Sequence, residues 1–106
     1  MSDPPKHLLI VDVEKALREA IAEQLTDHGF MVEQAGSGED ARQRLSDFAF
    51  DVLITDLRLP GIDGRQVLAA ALERYPAIVA IVITGYGTVK DAVEAIKQGA
   101  ADFITK

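Results

Sequence analysis

Four polar residues stand where apolar runs stop. Asp12 follows His7–Val11, Asp56 follows Val52–Thr55, Thr84 follows Ile78–Ile83, and Lys106 follows Asp102–Thr105. Asp is a poor strand residue, and a carboxylate at the end of an apolar run is costly unless something pairs with it. In an open α/β sheet, the carboxyl ends of the strands are where ligands and chemistry sit. If the runs are parallel strands, two carboxylates, a hydroxyl and an ammonium gather along one edge. Those are the parts that phosphoryl transfer to a carboxylate needs. It takes a nucleophilic carboxylate, a divalent cation held by oxygens, and donors or positive charge for the phosphoryl oxygens. The most informative stretch is Asp51–Gly64, DVLITDLRLPGIDG, in which Asp56 is followed by a Pro60-Gly61 turn. Plainer readings stand beside these: Asp56 as a strand-ending turn former, Thr84-Gly85 as turn chemistry, Lys106 as an exposed chain end.

The elements that must position these residues alternate. Lys15–His28 has helical spacing, with Leu17, Ile21 and Leu25 on one face and Gly29 as a fitting C′ residue. Met31–Ala35 reads as a second strand. Ser37 caps a helix running to about Asp47, with Asp40 three residues on, much like a capping box. Gly64 to Tyr75 reads as a helix with Val67, Leu68, Ala71 and Leu72 inward, closed by Pro76. Ile78–Ile83 is a β-branched and Ala run expected of a central parallel strand covered on both faces. Thr88 caps Val89–Gln98, whose Val89, Ala92, Val93 and Ile96 form an apolar face, and Gly99 ends it. The pattern is (βα)₄β, a doubly wound parallel α/β sheet in one domain, residues 1–106.

Composition narrows the function. The aromatic share is 6%, so Val, Ile, Leu and Ala must build the core from the 48% of apolar residues. A net charge of −6 without a basic cluster argues against this segment binding nucleic acid or an anionic membrane by itself. There are no cysteines, which excludes disulfides and thiolate metal sites and fits a cytoplasmic protein. No signal peptide is visible, and the apolar runs fall far short of the roughly 20 residues that span a bilayer. His7 and His28 read as surface or satisfied residues, Asp63 as a turn or cap residue, and Lys15, Arg18, Glu19 and Glu23 as a solvated helix face.

In order, LLIVDVE, DVLITDLRLPGIDG, IVITGYGT and GAADFITK resemble the receiver domain of two-component response regulators, closest in wording to receivers of the nitrogen-regulation type. The resemblance covers nearly the whole chain. It implies a flavodoxin-like five-stranded sheet of order 2-1-3-4-5. It implies that Asp56 accepts a phosphoryl group from a histidine kinase in a Mg²⁺-dependent reaction. Asp12, Asp56 and the backbone carbonyl of Arg58 then match the metal-holding groups, and Thr84 and Lys106 match the residues that contact the phosphoryl group. Phe103 matches an aromatic that changes rotamer with Thr84, although plain core packing also suits it. Gly85–Gln98 and the fifth strand would form the responsive surface, acting on an attached or partner output domain.

The sequence departs from that pattern at Val13, where the family usually has a second acid that binds the metal directly. Val offers no oxygen, and even changes behind a ligand cost about 10–100-fold in metal affinity. Glu14 is expected to point along the first helix and favour its dipole rather than replace that acid. Val13 is either natural, marking a pseudo-receiver that serves as an interaction module without phosphorylation, or an engineered change. The resemblance also implies a fifth helix after Lys106; without it a strip of the sheet should find cover, and self-association, a possible homodimer, is the expectation. A small α/β enzyme or nucleotide binder ranks last, because no glycine-rich phosphate loop follows the first strand.

Overall fold

A computed structural model describes residues 4–85 and 88–106. The elements run β1 His7–Val11, α1 Lys15–Asp27, β2 Met31–Ala35, α2 Gly38–Asp47, β3 Val52–Asp56, α3 Gly64–Arg74, β4 Val79–Thr84, α4 Val89–Gln98 and β5 Asp102–Thr105. Every strand pair is parallel and the sheet order is β2-β1-β3-β4-β5, as expected. Two strands sit slightly differently from the sequence reading. Asp56 belongs to β3, in register with Ile83, and β4 starts one residue later and takes in Thr84.

Local chemistry explains the boundaries. Ser37 Oγ accepts from the Asp40 amide at 3.1 Å at the start of α2. Asp63 and Gln66 close a full capping box on α3, and Thr88 and Asp91 another on α4. Gly29 ends α1 at φ +95°, a left-handed position that glycine enters without Cβ strain.

Strand periodicity then divides the core in two. One face of the sheet carries Leu9, Val11, Leu53, Ala80 and Val82 against Leu45 of α2, Val67, Leu68 and Ala71 of α3, and Ala95 of α4. Each fully buried Val or Leu there contributes roughly 1.5–3 kcal/mol. The other face holds a smaller cluster of Leu8, Ile10 and Ala22, with Ile21 and Leu25 of α1 beside it.

One expectation about coverage is corrected. β4 is not covered on both faces: its burial alternates, with Ala80, Val82 and Thr84 buried and Val79 47% exposed. Successive strand residues point to opposite faces, and α1 packs over the β2 and β1 side of its face. The apolar stripe of α4 exists but turns outward. Val89, Val93 and Ile96 are exposed, and the helix buries Ala95 instead. Ion pairs from Arg65 of α3 to Asp91 at 2.8 Å and Glu94 at 2.7 Å fix that rotation.

Candidate functional site

The parallel register brings the four strand-end residues together around Lys106. Lys106 Nζ lies 2.8 Å from Asp12 Oδ2 and 2.9 Å from Asp56 Oδ2. Asp12 is buried, and the Asp56 side chain is 8% exposed, so only an edge of its carboxylate meets solvent. Thr84 is fully buried at the end of the next strand, and its carbonyl accepts from the Lys106 amide at 2.9 Å. Asp56 and Lys106 border a crevice of about 540 Å³ that Val13, Glu14, Leu17, Arg58 and Gly85 also line.

Backbone donors hold the two carboxylates. The Glu14 amide donates to Asp12 Oδ1 at 2.9 Å, and the Arg58 amide donates to Asp56 Oδ1 at 3.1 Å. Both are two-residue steps made as the chain leaves its strand, so each acid is oriented by its own turn. Asp12 Oδ2 behaves differently. Its partner is the Lys106 ammonium at 2.8 Å rather than a backbone amide. Partial burial works against the charge on Lys106. Hydrogen bonds and coulombic attraction from Asp12 and Asp56 outweigh it and raise its pKa above the ordinary lysine value.

Phe103 is half-buried, in register with Val82, and packs against the larger core cluster. Arg58 is exposed and lines the crevice. Tyr86 and Gly87 of the IVITGYGT motif lie outside the described residues.

Glu14 corrects the sequence reading. It is the N-cap of α1 but makes no side-chain cap hydrogen bond, and its Oε1 stands 3.6 Å from Lys106 Nζ. Val13 is 52% exposed at the rim. With the ammonium between the acids, no three Asp, Glu or His side chains stand together at metal-ligand spacing among the described residues.

Arg18 and Arg65 carry more than the sequence suggested. Arg18, expected on a solvated face, is half-buried. Its Nη1 donates to the Asp12 carbonyl at 2.7 Å and its Nε to Gln34 Oε1 at 3.1 Å, which ties α1 to the Asp12 backbone. Its place at i+3 from Lys15, on the side of α1 facing the end of β1, was the available signal. Arg65 holds α4, whose Asp91 carboxyl sits below its ordinary value because the Thr88 amide and hydroxyl donate to it, with Arg65 adding attraction. His7 and His28 are satisfied, each with Nδ1 2.8 Å from a backbone carbonyl.

Residues 8–106 match the family model described as "Response regulator receiver domain". The chain is 40% identical over 99 residues to the response regulator protein FleR of Pseudomonas aeruginosa, covering 93% of this chain and 21% of that protein. It is 42% identical over 101 residues to a putative NtrX-like response regulator of Rickettsia felis, again covering 93% and 21%. It thus spans about a fifth of the length of these curated relatives. Its fold superposes with a TM-score of 0.90, at 28% identity, on a response regulator protein from Burkholderia pseudomallei, covering 95% of this chain and 59% of the other. That crystal structure contains a phosphorylated aspartic acid, a calcium ion and citrate.

Proposed function

The chain belongs to the response regulator receiver domain family, a signalling module of two-component systems, and on that premise we propose that Asp56 is its phosphoacceptor. The observation that supports this most is the joining of Asp56 to Lys106 at 2.9 Å, at the edge of an open crevice, with its other oxygen held by the Arg58 amide. In the step proposed, a carboxylate oxygen of Asp56 attacks the phosphorus of a phosphohistidine on a partner histidine kinase. The new O–P bond forms as the N–P bond breaks, and the imidazole leaves with the bonding pair and takes up a proton. Lys106 supplies positive charge to the phosphoryl oxygens. The Thr84 hydroxyl turns toward the same group and Phe103 follows it, altering α4 and β5, where Val89, Val93, Ile96 and Ile104 present apolar surface to an output domain or partner. This places the chain in the cytoplasm beside its kinase.

The donor set suits a divalent cation: Asp12 and Asp56 each place a carboxylate oxygen within 2.9 Å of the same ammonium, and Arg58 lines the crevice beside them. Asp12, Asp56 and the Arg58 carbonyl would hold Mg²⁺, with affinity weakened by Val13. When bound, the ion supplies charge neutralisation for the acid cluster and the phosphoryl oxygens.

The test is incubation with Mg²⁺ and a small acyl phosphate, read by intact-protein mass spectrometry. One phosphoryl mass on the native chain, absent from Asp56→Asn, is the expected result. Val13 favours one second reading, a pseudo-receiver. No adduct on the native chain, under conditions that modify Val13→Asp, would replace the first reading with that one.

A further inference from the structure

We infer that Arg18 is a positioning residue for the reaction at Asp56: by gripping the main-chain carbonyl of Asp12 it fixes the Asp12 carboxylate, and through it the Lys106 ammonium that Asp12 shares with Asp56. The inference rests on the reading of Asp56 as phosphoacceptor and adds a residue that touches none of the reacting atoms.

The contacts run without a break from α1 to Asp56. Arg18 is half-buried, and its Nη1 donates to the Asp12 carbonyl at 2.7 Å while its Nε donates to Gln34 Oε1 at 3.1 Å. The Asp12 amide donates to the Ala35 carbonyl at 3.1 Å, and the Glu14 amide donates to Asp12 Oδ1 at 2.9 Å. Both main-chain polar groups of Asp12 and one of its carboxylate oxygens are therefore committed to fixed partners. The other oxygen, Oδ2, meets Lys106 Nζ at 2.8 Å. The same ammonium stands 2.9 Å from Asp56 Oδ2.

Arg18 differs from a plain tie between a helix and a strand. Neither of its acceptors is a carboxylate, so its charge serves a peptide carbonyl at a strand end and a side-chain amide. A charged donor makes the shorter and stronger hydrogen bond, and the Asp12 carbonyl is held accordingly. Arg44 of α2 offers the contrast. It is half-buried too, but its guanidinium pairs with Glu33 at 3.0 Å and Asp40 at 3.6 Å, away from the strand-end residues. Without the grip of Arg18, Asp12 is free to turn, and Lys106 loses one of its two close anchors. The oxygen that attacks phosphorus and the charge that meets the phosphoryl group then leave their fixed relation. A misplacement of about 1 Å, caused far from the chemistry, can slow a reaction about 100-fold.

The experiment compares the native chain with Arg18→Met, which keeps an unbranched stem without donors, with Arg18→Lys, which keeps the charge and one point of donation, and with Arg44→Met as control. Urea unfolding establishes that each is folded. The readouts are the rate of phosphorylation by a small acyl phosphate and the hydrogen exchange of the Lys106 ammonium protons, followed by ¹H–¹⁵N NMR. Arg18→Met is expected to slow phosphorylation about 10–100-fold, with Arg44→Met within about twofold of the native chain. Ammonium exchange should speed up several-fold in Arg18→Met alone, and Arg18→Lys should lie between it and the native chain in both readouts. If Arg18→Met does not fold, Gln34→Leu, which frees the guanidinium on one side, takes its place with the same directions and smaller effects. Unchanged ammonium exchange in Arg18→Met would overturn the inference, whatever the rate does. So would an Arg44→Met that changes both readouts as much, because the effect would then be general loosening. No phosphoryl mass on the native chain would overturn the phosphoacceptor reading and this inference with it; faster exchange in Arg18→Met would then mark the hold on Lys106 as structural alone.

Discussion

Replacing Gly64 with Ala tests whether the end of β3 is held by backbone contact with the start of α3. A Cβ built on Gly64 overlaps the carbonyl oxygen of Asp56 and lies 2.7 Å from Leu57 Cα and 2.9 Å from the Asp56 carbonyl carbon. All three are backbone atoms, so no rotamer change relieves the overlap, and α3 or the β3 turn must move. Overpacking of this kind costs about 1–3 kcal/mol. Ala has fewer unfolded conformations than Gly, which offsets the loss by at most about 1 kcal/mol. Because the overlap involves three fixed atoms, the clash should dominate, leaving a net loss of about 2 kcal/mol. For a domain of this size that is a fall in Tm of about 10 °C. Gly36→Ala is the control, since its Cβ would meet only the end of Arg18 at 3.4 Å, and it should stay within about 0.5 kcal/mol of the native chain. Urea unfolding of both variants is the assay. The reasoning would be refuted if Gly64→Ala matched Gly36→Ala with an unchanged m-value.

Lys106→Met leaves the buried Asp12 and Asp56 carboxylates without their ammonium, and in EDTA it should cost about 3 kcal/mol; stability equal to the native chain would show that the pair is not held as charges. Since the folded pKa of Lys106 is raised, the native chain binds more protons than the unfolded chain at high pH. The stabilisation is complete below the ordinary lysine value of 10.5 and is lost as pH rises above it, so the alkaline limb of a stability–pH curve should be steeper in the native chain than in Lys106→Met. The lowered Asp91 carboxyl works in the opposite direction: its contribution is present above 3.8 and fades as pH falls below that, and Asp91→Asn should flatten this acid limb. Arg65→Ala should speed hydrogen exchange in α4 several-fold while changing global stability by less than about 1 kcal/mol, because exposed ion pairs contribute little each; equal exchange rates would show that α4 is held by Ala95 alone.

Most of the fold could be read from local signals. Ser37 and Thr88 announced helix starts because capping is chemistry within a few residues. The alternation of apolar runs with helical spacing gave the parallel sheet, because crossover connections leave few topologies. Orientation was harder. The stripe Val89, Val93, Ile96 was visible, but spacing shows that a helix has an apolar face without showing what it turns toward, and Arg65 pulls the polar side inward. Ile81 and Val82 look alike in sequence, yet only Val82 lies on the face covered by α3 and α4.

By itself the sequence determined the identity and order of the strand-end residues, since Asp12, Asp56, Thr84 and Lys106 each close an apolar run and a parallel sheet puts such ends on one edge. Only the tertiary structure decided how they meet. Contact between Lys106 and Asp12 spans nearly the whole chain, so no local pattern records that one ammonium serves both acids. The direction of Glu14 belongs to the same category. A residue at a helix start can serve its own helix or reach outward, and here the turn at Asp12 and the position of Lys106 send it outward.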